Sequence, residues 1–208
     1  YAVLADATGP VATPLVANLM WVEKAVHLQR AYGVTAGLAD RVLADIRAVK
    51  SPDEVAQLHL AGAAIDQVHR AMGQWLRPGR TEREVGADIA AAITAAGHAT
   101  VDFVIVASGP NGASPHHEVS DRVILAGEPV VVDIGGSLPS GYCSDSTRTY
   151  VCGEPSAEYR EHYAVLQAAQ QAAVEYARPG VTCESIDAVA RNMLIENGLG
   201  DYFIHRTG

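Results

Sequence analysis

The stretch DIGGSLPSGYCSDSTRT, residues 133–149, decides the predicted fold. It places Asp133 directly after the apolar run VVV and Asp145 twelve residues later, with a Gly/Pro/Ser-rich segment between them. Two runs with strand-forming residues on either side of a turn-forming segment are typical of a β-hairpin. We therefore expect two neighbouring antiparallel strands, each carrying one aspartate.

A turn at LPS makes Pro139 the midpoint of this hairpin, so Asp133 and Asp145 are predicted to face each other directly. Opposed Cβ atoms lie about 4.5–5.5 Å apart, where like charges are destabilising. At an effective dielectric constant near 20, the repulsion is about 3–4 kcal/mol. Either one carboxyl group stays protonated or a cation lies between the two. Thr147 and Thr149 fall on the face of Asp145, where their hydroxyl groups can donate to ligating carboxylates.

The residues alone leave three interpretations of the two aspartates open. Carboxylates suit hard or borderline divalent ions such as Mn²⁺, and a pair of metals about 3.5–4 Å apart needs a bridging carboxylate. An acid–base pair, as in aspartic proteases, is a second interpretation, although neither DIGG nor DSTR matches the loop of those enzymes. In the third, one aspartate lies in the turn and the other caps nearby backbone.

Composition excludes several classes of protein. The chain has 208 residues, of which 49% are hydrophobic, so it can form one or two globular domains. Its net charge of -9 argues against binding to nucleic acid or to an anionic membrane. The three cysteines, Cys143, Cys152 and Cys183, have no zinc-site spacing, which favours reduced thiols and a cytoplasmic location.

Start and stop signals predict the helices. Ser51, Pro52 and Glu54 form a helix start, as do Thr81 and Glu84. The apolar run VDFVIVASG, which follows the second of these helices, is predicted to be a buried strand. We place a domain boundary between residues 47 and 48. The predicted helices span roughly residues 15–32, 38–49, 51–75, 81–96, 156–177 and 183–197.

The sequence also contains an internal repeat. RPGRTEREVGADIAAAITAAG (77–97) aligns with RPGVTCESIDAVARNMLIENG (178–198) at a constant offset of 101, with both RPG motifs, both threonines and both final glycines identical. Each copy follows a long predicted helix and precedes an aromatic-containing stretch, VDFVIV or DYFIHR. The pattern indicates duplicated helix–helix–strand halves related by a pseudo-twofold axis, with a site between them. The alternative is two helix pairs that merely share Pro-Gly stop signals.

Several of these segments together resemble the creatinase / aminopeptidase P / prolidase superfamily. VVVDIGG and GYCSDSTRTY resemble its first two metal-ligand positions, FVIVASGPNGASPHH resembles the strand and loop before them, and RAVKSPDEVAQLHLAGAAID resembles the opening helix. The resemblance implies an α+β pita-bread fold for the catalytic domain, residues 48–208, incomplete at its C-terminus. Residues 1–47 resemble the last part of a small α/β N-terminal domain.

The resemblance also implies a function. It implies a dinuclear metallopeptidase that uses two divalent ions (Mn, Co or Zn) and a bridging hydroxide to hydrolyse Xaa-Pro dipeptides or N-terminal Xaa-Pro bonds. Asp133 then binds one metal, Asp145 bridges both, and His116 is catalytic. His117, if it follows His116 on a strand, points to the opposite face. A peptide substrate and a homodimer are implied as well.

Two features depart from the superfamily pattern. The spacing of 12 between the aspartates is one residue longer than is typical, and the chain ends at Gly208, the first glycine of a GHGxG motif whose histidine is the third ligand. Only two of five ligands are therefore expected here, and we predict that the chain alone is inactive. The alternative is a non-catalytic pita-bread module that binds peptides or proteins; creatinase-type hydrolysis is a third interpretation.

Overall fold

The computed structural model describes residues 2–17 and 19–207. They form two compact units, Tyr1–Gln57 and Leu58–Gly208, and the division lies within helix α4, Pro52–Ala71. The predicted boundary between residues 47 and 48 stays a prediction. Among the helices of the described residues, none is long and apolar enough to cross a membrane.

The first unit has few long elements. Its helix predicted over 15–32 begins only at Val22, because Leu15 and Val16 pair in parallel with Gly37 and Leu38. That pairing joins residues far apart in sequence, and no local pattern indicates it. The elements are α1 (Ala2–Thr8), β1 (Leu15–Val16), α2 (Val22–Tyr32), β2 (Gly37–Leu38) and α3 (Asp40–Ala48).

The second unit is an antiparallel three-stranded sheet with four helices. The strands are hydrogen-bonded in the order β3–β4–β5. The predicted long helices and the two hairpin strands are confirmed to within a few residues. The elements after α4 are α5 (Glu82–Ala95), β3 (Thr100–Ser108), β4 (Pro129–Ser137), β5 (Cys143–Val151), α6 (Ala157–Tyr176) and α7 (Cys183–Glu196). Short 3₁₀ helices cover Met72–Gln74, Gly109–Ala113 and Gly200–Tyr202.

Reciprocal side-chain caps explain where α4 and α5 begin. Ser51 N donates to Glu54 Oε2 at 2.7 Å, and Glu54 N donates to Ser51 Oγ at 3.3 Å. Thr81 and Glu84 make the same two bonds at 2.8 and 3.2 Å. Each pair satisfies two backbone N–H groups that the helix end would otherwise leave without a partner. Both predicted capping boxes are therefore confirmed.

The main core lies on one face of the sheet, against α4 and α5. Val130, Val132 and Ile134 of β4 are completely buried there. Since side chains alternate along a strand, Asp133 lies on the opposite face. The helices contribute Ile65, Val68, Met72, Val85, Ile89 and Ile93 to the same core. α6 and α7 form a separate cluster from Ala169, Ala173, Ala190 and Leu194.

The two repeat copies have closely similar geometry from the RPG motif to the end of the helix that follows it. α5 and α7 each have 14 residues, and their caps Thr81 and Thr182 have nearly the same φ and ψ, −84°/156° and −84°/151°. Gly79 and Gly180 both adopt positive φ. The copies differ afterwards, because Gly200–Tyr202 form a 3₁₀ helix where the first copy has strand β3. The strand expected around DYFIHR is therefore not formed in the described residues.

Candidate metal centre

The β4–β5 hairpin carries both predicted carboxylates, but they are not directly opposite. Asp133 pairs with Thr147, and Asp145 pairs with Gly135. The predicted register is therefore wrong, yet both aspartates still share one face as diagonal neighbours. Diagonal neighbours lie about 7–8 Å apart, with their Cβ atoms somewhat closer. At the same effective dielectric constant the repulsion falls to about 2 kcal/mol.

The turn chemistry explains the shift in register. Leu138 N donates to Tyr142 O at 2.8 Å, and Gly141 N donates to Leu138 O at 2.8 Å. Gly141 has a φ of +84°, the left-handed conformation that a three-residue hairpin loop requires at its last position. The loop is therefore PSG rather than LPS, and its centre is Ser140 instead of Pro139.

Thr147 orients one of the two carboxylates. Its Oγ1 donates to Asp133 Oδ1 at 2.6 Å, as expected for a hydroxyl group that supports a ligand. The described contacts give Thr149 no hydrogen bond to either aspartate, although it lies on the same strand face. Its side chain lines a different cavity, beside Val131 and α6.

One cavity of about 580 Å³ is lined by Asp133, Asp145 and His116. His116 is exposed and lies in the loop after β3. His117 lines the cavity too, because residues 115 and 116 form a turn rather than a strand. The condition for their facing opposite sides, a strand through both residues, is therefore not met. The remaining lining residues are Arg83, Phe103, Val104, Ile105, Glu118 and Val119.

Glu82 is a buried carboxylate that the sequence does not single out. It is the first residue of α5, where an acidic side chain is ordinary. Burial alone would raise its pKa, but hydrogen bonds from Ser108, Ser120, His117 and Asn111 outweigh burial and lower the pKa to about 2. The donors lie 26 to 38 residues further along the chain, so only the folded structure reveals the cluster.

The two glycines after Asp133 allow close packing beside the site. A Cβ on Gly136 would lie 2.6 Å from the carbonyl oxygen of Thr100. A Cβ on Gly135 would lie 2.5 Å from both Phe103 Cε1 and the carbonyl oxygen of Ser144. Such distances exclude any side chain unless the backbone moves. The glycine pair is therefore needed for packing between the strands.

Behind the hairpin, two residues of α4, His69 and Asp66, make polar contacts with β5. His69 is buried; its Nε2 donates to Ser146 O at 3.1 Å, so its Nδ1 accepts from the Tyr150 hydroxyl at 2.8 Å. Burial is the main cause of the lowered pKa of His69. Arg148 contacts Asp66 at 3.9 Å, as a half-exposed ion pair. An exposed pair of this kind contributes about 0–1 kcal/mol to stability.

The donor set of the hairpin fits a divalent cation. Carboxylate oxygens suit Mg²⁺, Ca²⁺ and Mn²⁺, and no described hydrogen bond occupies Asp133 Oδ2 or either oxygen of Asp145. In the part of the chain that the structure describes, no group of three or more His, Cys, Asp and Glu side chains is arranged to hold a metal ion. The two carboxylates alone do not make a ligand group of that size.

Comparisons with known proteins identify the family of this chain. Metallopeptidase family M24 matches residues 56–208. Probable dipeptidase PepE of Mycobacterium tuberculosis is 54% identical over 199 residues, which cover 96% of this chain and 53% of that protein. The Xaa-Pro dipeptidase of Pyrococcus furiosus is 39% identical over 170 residues, covering 81% and 49%. The crystal structure of dipeptidase PepE from Mycobacterium ulcerans has a TM-score of 0.94 at 51% identity, covering 100% of this chain and 56% of that one.

These matches extend over nearly the whole of this chain but only part of each relative. The chain spans about half the length of the curated relatives it matches. Its mixed helices and sheet have the pita-bread fold of the structural neighbours, which confirms the expected fold. The chain belongs to metallopeptidase family M24.

Proposed function

We propose that the natural protein containing these 208 residues is a metal-dependent peptidase that hydrolyses Xaa-Pro dipeptides or N-terminal Xaa-Pro bonds. One observation carries the proposal: His116 and the carboxylates of Asp133 and Asp145 line the same cavity. Peptidase activity and a divalent metal cofactor are properties of the family. The proline preference is supported by the name of one relative, Xaa-Pro dipeptidase.

Asp133 and Asp145 are the residues of this chain that would hold the metals. Two divalent ions (Mn, Co or Zn), when bound, would supply an activated water molecule and polarise the scissile carbonyl. Two aspartates offer four oxygens at most, so a dinuclear centre needs further ligands from residues outside this chain. The 208-residue chain by itself is accordingly proposed to be inactive.

Thr147 and His116 have separate tasks in this proposal. Thr147 fixes the rotation of the Asp133 carboxylate through the bond to Oδ1, which leaves Oδ2 free for a ligand. His116 is exposed to the cavity, where an imidazole N–H can donate to the oxygen on which negative charge develops. The cavity volume of about 580 Å³ is within the usual range for small ligands.

The test measures metal content and dipeptide cleavage of the natural protein together. We expect about two bound metal ions per chain by mass spectrometry and Mn²⁺-dependent cleavage of Ala-Pro, both lost in Asp145→Asn. Asp102→Asn is the matched control, because Asp102 is an exposed carboxylate on β3 that bonds Ser137 and does not line the cavity. Cleavage of Ala-Ala but not Ala-Pro would contradict the proline preference alone.

A non-catalytic peptide-binding module is the alternative function. It would bind no metal and cleave neither dipeptide. Retention of two like-charged aspartates on one hairpin face favours the enzyme, since a binding module gains nothing from their repulsion.

Location and assembly remain separate proposals. The free state of Cys143, Cys152 and Cys183 supports a reducing, cytoplasmic location. The homodimer is a prediction that light scattering on the natural protein tests.

A further inference from the structure

The strongest polar cluster outside the metal centre surrounds Glu82. Its side chain is completely buried, and six described hydrogen bonds reach its two carboxylate oxygens. Oε1 accepts from Ser108 N, Ser108 Oγ and Asn111 Nδ2 at 2.8, 2.8 and 3.0 Å. Oε2 accepts from His117 Nε2, Ser120 N and Ser120 Oγ at 2.7, 3.2 and 2.7 Å.

The donors lie on both sides of His116 in the sequence. Ser108 ends β3 and Asn111 is in the 3₁₀ helix after it, whereas His117 and Ser120 lie one and four residues after His116. The carboxylate therefore binds the loop at both its beginning and its end. His116 itself makes no described side-chain hydrogen bond, so its direction is set through the backbone of its neighbours.

A carboxylate that fixes a loop from a buried position carries a large desolvation cost. Replacement of buried charged groups by packed apolar side chains is often neutral or stabilising, so stability alone does not explain this cluster. Arg122 extends the cluster, because its Nη1 donates to Ser108 Oγ at 2.6 Å while the guanidinium pairs with Glu128. His117 and Arg122 are thus the cationic or titratable groups on the loop side of Glu82, with Glu128 beyond them.

We propose that Glu82 is a positioning residue for the peptidase reaction: it fixes His117 and the ends of the loop so that His116 faces Asp133 and Asp145. This inference rests on the proposed function. It assigns Glu82 no contact with substrate or metal. Its effect on the reaction passes entirely through the placement of His116.

The decisive experiment is a double-mutant cycle in the natural metal-loaded protein. Glu82→Gln keeps the shape but replaces one acceptor oxygen by an amide group that cannot accept its donors. Misplacement by about 1 Å costs on the order of 10²-fold in rate, so we expect kcat to fall ~10–100-fold with KM and metal content nearly unchanged. In the His116→Ala background, the same substitution should lower kcat less than about 2-fold, since coupled residues are not additive.

Glu84→Gln is the matched control. Glu84 lies two residues away at the same helix start, is exposed, and caps only Thr81. It should leave kcat unchanged in both backgrounds. If Glu82→Gln lowers kcat equally with and without His116, or not at all, the positioning role is refuted.

Two further variants cover a loss of folding in Glu82→Gln. Ser120→Ala removes two hydrogen bonds of the hydroxyl group, one to Glu82 Oε2 and one from Arg122 N, but keeps the buried charge. His117→Gln retains an N–H donor for Glu82, so it should keep more activity than His117→Ala. An identical loss in both His117 variants would contradict the proposal.

A readout independent of activity separates this inference from the proposed function. In the metal-free protein, Glu82→Gln should speed amide hydrogen exchange in residues 109–121 but not in 129–137, and should shift the imidazole NMR signals of His116. Glu84→Gln should do neither. If the natural protein cleaves no dipeptide but these signals change, the proposed function fails while the placement of His116 by Glu82 stands; unchanged signals overturn the placement itself.

Discussion

Thr147→Val tests how the hairpin prepares its carboxylate for a metal. The substitution removes the hydroxyl that donates to Asp133 Oδ1 at 2.6 Å and keeps the β-branched shape that a strand favours. A net hydrogen bond of this kind contributes about 1 kcal/mol to folding. Loss of a group that orients a ligand lowers metal affinity about 10–100-fold, equivalent to about 1.4–2.8 kcal/mol.

Thr149→Val is the matched comparison. It makes the same chemical change two residues away on the same face of β5, where no described hydrogen bond joins the hydroxyl to Asp133 or Asp145. Calorimetric titration of the metal-free natural protein with Mn²⁺ should give a dissociation constant raised 10–100-fold for Thr147→Val and raised less than about 2-fold for Thr149→Val.

Equal affinities for the two valine variants would refute the reasoning, because the hydroxyl bond to Asp133 would then have no part in metal binding. A loss of affinity in Thr149→Val alone would place the ligating face further along the strand. Circular dichroism on both variants distinguishes these outcomes from unfolding of the hairpin.

Four other substitutions test packing and electrostatics in the second unit. Gly136→Ala should lower the free energy of unfolding by about 1–3 kcal/mol because its Cβ meets backbone, whereas Gly62→Ala, in open space on α4, should raise it by about 0.5–1 kcal/mol in chemical denaturation. Burial would raise the pKa of Glu82, but hydrogen bonds outweigh it and lower the pKa from 4.5 to about 2. This shift contributes about 3 kcal/mol to the free energy of unfolding above pH 4.5, and that contribution is lost as the pH falls toward 2. Glu82→Gln should therefore weaken the pH dependence of stability in this acidic range. Tyr150→Phe leaves His69 Nδ1 without its donor. It should lower the free energy of unfolding by about 1–2 kcal/mol, which is measured as a lower melting temperature.

Local chemistry made most of the second unit predictable. The helix starts at Ser51 and Thr81 depend on residues three positions apart, and the structure has both. The stops at Gly97 and Gly198 depend on one residue each that can adopt positive φ. Signals of this kind need no knowledge of the rest of the fold, which is why the helix bounds agree to within a few residues.

The register of the hairpin was harder to predict, because one residue decides it. Gly141 had to be recognised as the left-handed residue of the loop, which moves the centre from Pro139 to Ser140. The prediction that Asp133 and Asp145 share one face of the sheet is unaffected. A shift of two residues in the pairing leaves every side chain on its original face, because side chains alternate with a period of two.

Glu82 was not predictable from the sequence for a different reason. Its neighbour Glu84 explains the helix start, so a second acidic residue in the first turn adds nothing to that pattern. The donors come from a loop that turns back over α5, and no spacing in the sequence indicates that return. The parallel pairing of residues 15–16 with 37–38 is non-local in the same way.

The two similar helix starts have a consequence for how the second unit opens. α5 and α7 share a threonine cap, but the third residue of α7 is Ser185, whose hydroxyl donates to Thr182 O rather than satisfying the amide of Thr182. α7 therefore lacks the reciprocal carboxylate of a capping box, and it has one acidic side chain in its first turn, Glu184, where α5 has two. One such side chain near a helix N-terminus is worth about 0.3–1 kcal/mol. We therefore expect the first turn of α7 to open more readily than the first turn of α5. A protease that attacks transiently open backbone is accordingly expected to cleave faster near residue 183 than near residue 82.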